Sequence, residues 1–279
     1  MKFTKMHGLG NDYIYVNTME EGNRDYSKLA VLLSDRHFGI GADGIITISK
    51  PENNVDADFF MQIYNADGSK GEMCGNGIRC VGKYVYDNGL TNKTHLKIDT
   101  LAGIKNLDLK IVDNKVDSVK VNMGVAKLHD GSDIDIDKIT HNLNINGIDY
   151  KVMDISMGNP HTVLFVDEIT DDLVLNVGPL IENNEYYPNR TNVEFVKIKD
   201  KGILEMRVYE RGSGETMACG TGACASAVAY FLKSGLDSTI VKLRGGDLSI
   251  KKDIESQHII MEGPAVKVFD GVIELKDIK

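Results

Sequence analysis

The chain has 279 residues, long enough to bury a substantial core without disulfides. Its four cysteines show no CxxC spacing and its seven histidines are scattered, so no structural metal is expected. A formal net charge of -9 argues against the concentrated basic face of a nucleic-acid binder and leaves small-molecule chemistry as the expectation.

The opening run, "MKFTKMHGLGNDYIYV", carries charges and glycines where a secretory leader has an unbroken apolar stretch, which points to the cytoplasm. Within it, "GLGNDYIYV" reads as a Gly-Asn turn at Asn11 feeding an apolar strand. A helix is expected over 26–36, then a strand, "DGIITI". Gly39, Gly41 and Gly44 spell GxGxxG, but dinucleotide binding needs a strand before and a helix after, and here the order is reversed. "ADFFMQIY" alternates as a strand, and the polar loop "NADGSKGEM" leads to Cys74, a glycine-rich turn and a helix over 76–88. Short strands such as "HLKIDT" and "NLDLKIV" follow, and the seam "DNKVDSV" divides the chain.

The second half repeats the plan. "SMGNPHTVLFV" around Asn159 resembles the stretch around Asn11, at an offset of 148 residues. A helix is expected over 170–182, then the strand "ILEMRVY" and the loop "ERGSGETMA". Cys219 follows at an offset of 145 from Cys74, with another glycine-rich turn and a helix over 220–234. Tyr64 and Tyr209 each stand ten residues before the marked cysteine. The expectation is an α+β fold of two pseudo-symmetric lobes from an internal duplication. Each lobe is a central helix wrapped by mostly antiparallel strands, with the active site in the cleft. The lobes would be 1–118, joined by a returning C-terminal strand at 265–279, and 119–264. The uncharged window Thr216–Leu232 is short and rich in small residues, so no membrane span is expected.

A cysteine at a helix N-terminus meets unpaired backbone N–H groups and the positive end of the macrodipole, which favour thiolate. Cys80 and Cys224, inside helical runs, read as small buried hydrophobes. Gly75, Gly77, Gly220 and Gly222 would let a ligand approach the main chain, and a carboxylate suits two opposed donor sets. Held between two such helix ends, its α-carbon would lie between two sulfurs. One thiolate could remove the α-proton while the other thiol delivers one to the opposite face.

Four motifs, "GLGNDYIYVN", "YNADGSKGEMCGNGIRC", "MGNPHTVLFV" and "YERGSGETMACGTGACASA", together resemble the diaminopimelate epimerase family across almost the whole chain. The resemblance implies interconversion of LL- and meso-diaminopimelate without a cofactor, in lysine and cell-wall precursor synthesis, by a homodimer. It also implies roles. Cys74 and Cys219 match the acid/base pair, with His161 and Glu210 beside them. The backbones of Gly75, Asn76, Gly220 and Thr221 would hold the reacting carboxylate. Asn11, Asn65, Asn159, Asn192 and Arg211 match positions that bind the substrate's amino and carboxylate groups. Gly44 departs from members that carry a glutamine there. The alternatives are a proline or hydroxyproline racemase of the same fold, which tends to place histidine where this chain has Asn76, and a non-catalytic carboxylate-binding module.

Overall fold

Runs of alternating apolar side chains become strands that bury one or both faces. The computed structural model describes residues 1–275 and contains eighteen strands and six α-helices, an α+β architecture with a mixed sheet. Positions 276–279 of the expected returning strand lie outside the described residues. The chain divides into two units, Met1–Val121 with the segment from Gly263 onward, and Asn122–Glu262.

In the first unit, β1 (Lys2–Gly8) turns through Leu9 and Gly10, both at positive φ, into antiparallel β2 (Asn11–Asn17). Asn17 and Asp25 cap α1 (Thr18–Glu21) and α2 (Tyr26–Ser34) by accepting first-turn N–H groups. β3 (Gly44–Ser49) lies parallel to β2 and antiparallel to β4 (Phe59–Asn65), which hooks through β5 (Lys70–Gly71) into α3 (Gly75–Asp87). β6 (His95–Asp99) pairs parallel with β4, and β7 (Lys105–Val112) and β8 (Lys115–Asn122) complete an antiparallel meander. Tyr26, Ala30 and Leu33 seal α2 against Phe3, Ile14, Val16 and Ile45. α3 buries Ile78, Val81 and Val85, and Gly82 lets Leu107 and Leu109 approach within 3.0 Å of where a Cβ would stand.

The second unit runs through α4 (Ile136–Ile139), β9 (Thr140–Ile145), β10 (Ile148–Ser156) and β11 (Pro160–Phe165), all three strands joined antiparallel. The helix expected over 170–182 is helical from Asp171 to Glu182, but widens to a π-helix at Leu173–Val177 before α5 (Gly178–Glu182), just ahead of Pro179, which has no amide to continue the ladder. β12 (Asn192–Asp200) pairs parallel with β11 and antiparallel with β13 (Ile203–Glu210), which hooks through β14 (Gly214–Glu215) into α6 (Gly220–Ser234). β15 (Ser238–Leu243) lies parallel to β13, followed by antiparallel β16 (Gly246–Lys252) and β17 (Ile259–Pro264). Parallel and antiparallel pairings thus follow one another as they do in the first unit. β18 (Val266–Val272) then pairs with the free edge of β1. α6 is mostly buried, its small side chains admitting close strands, and Gly235 closes it in the left-handed conformation.

The helices expected over 76–88 and 220–234 form as α3 and α6, within one residue of those bounds, the glycine-rich stretch after each marked cysteine being the helix's own first turn. Cys74 and Cys219 are extended N-caps, and helical geometry begins at Gly75 and Gly220.

Candidate active site

In the first unit the thiol sits between a helix and a hairpin. Cys74 Sγ accepts the Gly77 amide at 3.2 Å, as an N-cap oxygen would, and donates to Asn11 Oδ1 at 3.3 Å. Asn11 opens β2, and its Nδ2 donates to Asp43 Oδ2 at 2.8 Å, so the amide is held from behind. Arg36 bridges Asp12 at 2.8 Å and Asp43 at 3.0 Å. Burial would raise Asp12, but Arg36 and Lys5 outweigh it and hold the carboxyl low; burial leaves Asp43 raised. Asn65 ends β4 opposite Gly44 and donates to Ser69 at 3.0 Å, within its own turn. Asn76 is buried, its Oδ1 accepting from Arg79 at 2.9 Å, so what it offers a ligand is backbone. A Cβ at Gly44 would stand 2.2 Å from the Tyr64 carbonyl oxygen, so this backbone has no room for a side chain there.

The second unit surrounds its thiol with more chemistry. Cys219 Sγ accepts the Gly222 amide at 3.4 Å and lies 3.5 Å from Thr221 Oγ1. Thr221 Oγ1 accepts from Asn159 Nδ2 at 3.4 Å, and Asn159 Oδ1 lies 3.1 Å from His161 Nε2. His161 Nδ1 lies 2.7 Å from Glu194 Oε1, and both side chains are 0% exposed. Glu210, at the end of β13, accepts from Thr216. Asn192 pairs with His161 across parallel strands, donates to Pro160 O at 2.7 Å and accepts the Arg211 amide at 3.0 Å. The Arg211 guanidinium is exposed, with one contact to Asn189 O at 3.4 Å.

The family profile described as diaminopimelate epimerase matches residues 3–129 and 153–268. The chain belongs to the diaminopimelate epimerase family. It is 49% identical to a protein of that name from Agathobacter rectalis, covering 99% of this chain and all of the relative, and 46% identical to one from Methanococcus maripaludis at the same coverage. Among solved structures, a probable proline racemase from Agrobacterium radiobacter aligns with TM-score 0.74 at 15% identity, over 98% of this chain and 93% of the other. A PhzF-family phenazine biosynthesis protein from Bacillus anthracis aligns with TM-score 0.73 at 17% identity, over 99% of each chain. At such identities these two speak for the fold alone.

For a member of the diaminopimelate epimerase family, the two thiols sit in unequal surroundings. Cys74 is half-buried, while Cys219 is 6% exposed. Burial pushes the Cys219 thiol well above its ordinary range, and the carboxylates of Glu210 and Glu194 push the same way; Thr221 and the Gly222 amide pull it down by less. The helix-end effect expected to favour thiolate is therefore overridden at Cys219. Burial likewise raises Glu210. A second correction concerns the glycines. Gly77 and Gly222 spend their amides on sulfur, and their missing Cβ atoms make room for Ile46 and Glu194. Sequence reading missed Glu194 and Asp43. A usable signal for Glu194 was its place two residues after Asn192 within "TNVEFV", a charge flanked by Val193 and Phe195.

Proposed function

We propose that this chain is a cofactor-independent two-thiol epimerase that interconverts LL- and meso-2,6-diaminopimelate, supplying lysine and cell-wall precursor synthesis in the cytoplasm as a homodimer. The observation that carries this reading is that each unit places one cysteine as the N-cap of its long buried helix, in a chain of this family. In this reading the two units are the lobes of an internal duplication, 1–118 with the returning strand and 119–264, and the helix end of each contributes to substrate binding.

The amides of the first turns at Gly75, Asn76, Gly220 and Thr221 receive the carboxylate at the reacting carbon and stabilise negative charge that spreads onto it as the α-proton leaves. Inversion needs one acid/base group for each face of that carbon, and Cys74 and Cys219 take these two roles. One sulfur, as thiolate, takes the α-proton; the other, as thiol, returns its own proton to the far face, so each turnover exchanges their protonation states. Cys219, pushed up by burial, rests as the thiol at neutral pH. Asn11, Asn65, Asn159 and Asn192 bind amino and carboxylate groups, and Arg211 offers a guanidinium fork to the distal carboxylate.

The test is to incubate the reduced protein with LL-diaminopimelate in deuterated water without cofactor and follow α-hydrogen loss and stereoisomer composition by NMR. Deuterium entering in step with meso product is expected. No exchange, with the thiols shown to be free, would reject the reading.

A further inference from the structure

Beneath the first turn of α6 lies a buried carboxylate that packing does not require. A Cβ at Gly222 would stand 2.5 Å from Glu194 Oε1; in the first unit a Cβ at Gly77 would stand 2.6 Å from Ile46 Cδ1. Ile46 and Glu194 occupy matching places, on β3 and β12, each of which runs parallel to the strand before it, opposite Tyr15 and Val163. An apolar side chain therefore fills this position well. Glu194 is instead fully buried between Val193 and Phe195, and its Oε2 has no hydrogen-bond partner among the described residues. A buried carboxylate with an unpaired oxygen works against stability, and such local violations concentrate where function demands them.

Building on the two-thiol reading above, we propose that Glu194 is a positioning residue for the proton chemistry at Cys219. It grips His161 Nδ1 so that Nε2 faces Asn159 and, through Thr221, the Cys219 sulfur. Two lone pairs cannot share a 2.7 Å contact, so a proton lies between Oε1 and Nδ1. With the Asn159 amide donating to Thr221, its Oδ1 faces Nε2, so the grip on Nδ1 fixes which ring nitrogen points along the chain of contacts to Cys219. The ionisable groups around Glu194 are His161 on β11, Glu210 on β13 and Cys219 at the head of α6.

The experiment compares wild type, Glu194→Gln and Glu194→Asp by turnover across pH and by proton NMR of the histidine ring. Glu194→Gln keeps the side chain's shape against Gly222 but cannot share an acid proton. Its kcat is expected to fall on the order of 10- to 100-fold with KM within about threefold, and its pH profile to shift. The low-field ring proton of the short Nδ1–Oε1 contact should disappear. Glu194→Asp, which keeps the carboxyl, should recover part of kcat and retain that proton. A folded Glu194→Gln with wild-type kcat and an unchanged ring signal would overturn the proposal. So would a joint loss of kcat and KM that tracks a lowered melting temperature in both variants. A wild type that exchanges no α-hydrogen would sink the two-thiol reading, and the ring proton would still report whether Glu194 holds His161.

Discussion

Two cysteines in the same local geometry become different reagents because their neighbours differ. Each sulfur accepts the amide three residues on, yet Cys219 is buried beside Glu210 and Glu194 while Cys74 is half-buried beside the amide of Asn11. A raised pKa lowers the thiolate fraction about tenfold per unit at a given pH, and thiolate is the form that alkylates. With limiting iodoacetamide at pH 8, Cys74 is expected to label at least about tenfold faster than Cys219. Labelling of Cys219 should accelerate only as pH passes above the ordinary thiol range. Peptide mass spectrometry reads both sites at once, and equal rates would contradict the environment described for Cys219. The Gly44 departure also resolves at this scale. Its Cβ would meet the Tyr64 carbonyl at 2.2 Å, so strand approach, rather than ligand contact, accounts for glycine in this chain.

At the scale of elements, each long helix is started by sulfur. Serine caps helices at least as well as cysteine does, because its oxygen accepts the same first-turn amide. Cys74→Ser and Cys219→Ser are therefore expected to change unfolding free energy by less than about 1 kcal/mol. Turnover should nevertheless fall on the order of 10²–10⁴-fold, since a hydroxyl is a far weaker acid than a thiol. Chemical denaturation beside the exchange assay separates the two; retained turnover would remove that cysteine from proton transfer. The helices over 75–87 and 220–234 were legible because a polar, glycine-bearing loop gave way to a helical period. What the sequence did not show is that Gly77 and Gly222 admit Ile46 and Glu194, which come from strands that sequence does not place beside them. Alternation alone puts Glu194 on a water-facing side of its strand. The strand is instead buried on both faces from Asn192 to Val196.

At the scale of the whole molecule, the first unit is completed from the far end of the chain. β18 pairs along β1, and Phe269 meets Phe3 edge-on with ring centroids 5.9 Å apart. Removing β18 would leave β1 as an open edge with unpaired backbone groups, the kind of edge that recruits other strands. A chain ending at Ala265 is expected to melt about 5 °C lower or more, equivalent to roughly 2 kcal/mol, and to aggregate on heating. Calorimetry and size-exclusion chromatography would show this, and an unchanged melting temperature would mean that β18 contributes little beyond covering the edge.

Taken alone, the order of residues determined the family, the two marked cysteines, and the helices that each of them heads. Those features are local: a cap, a glycine run and a helical period lie within a few residues of one another. Tertiary structure decided what surrounds each sulfur. His161, Glu194, Glu210 and Cys219 come from three strands and a helix cap, and only packing brings them together. Burial, which no local pattern reports, then overrides the helix-end preference at Cys219 and turns two similar motifs into an unequal pair.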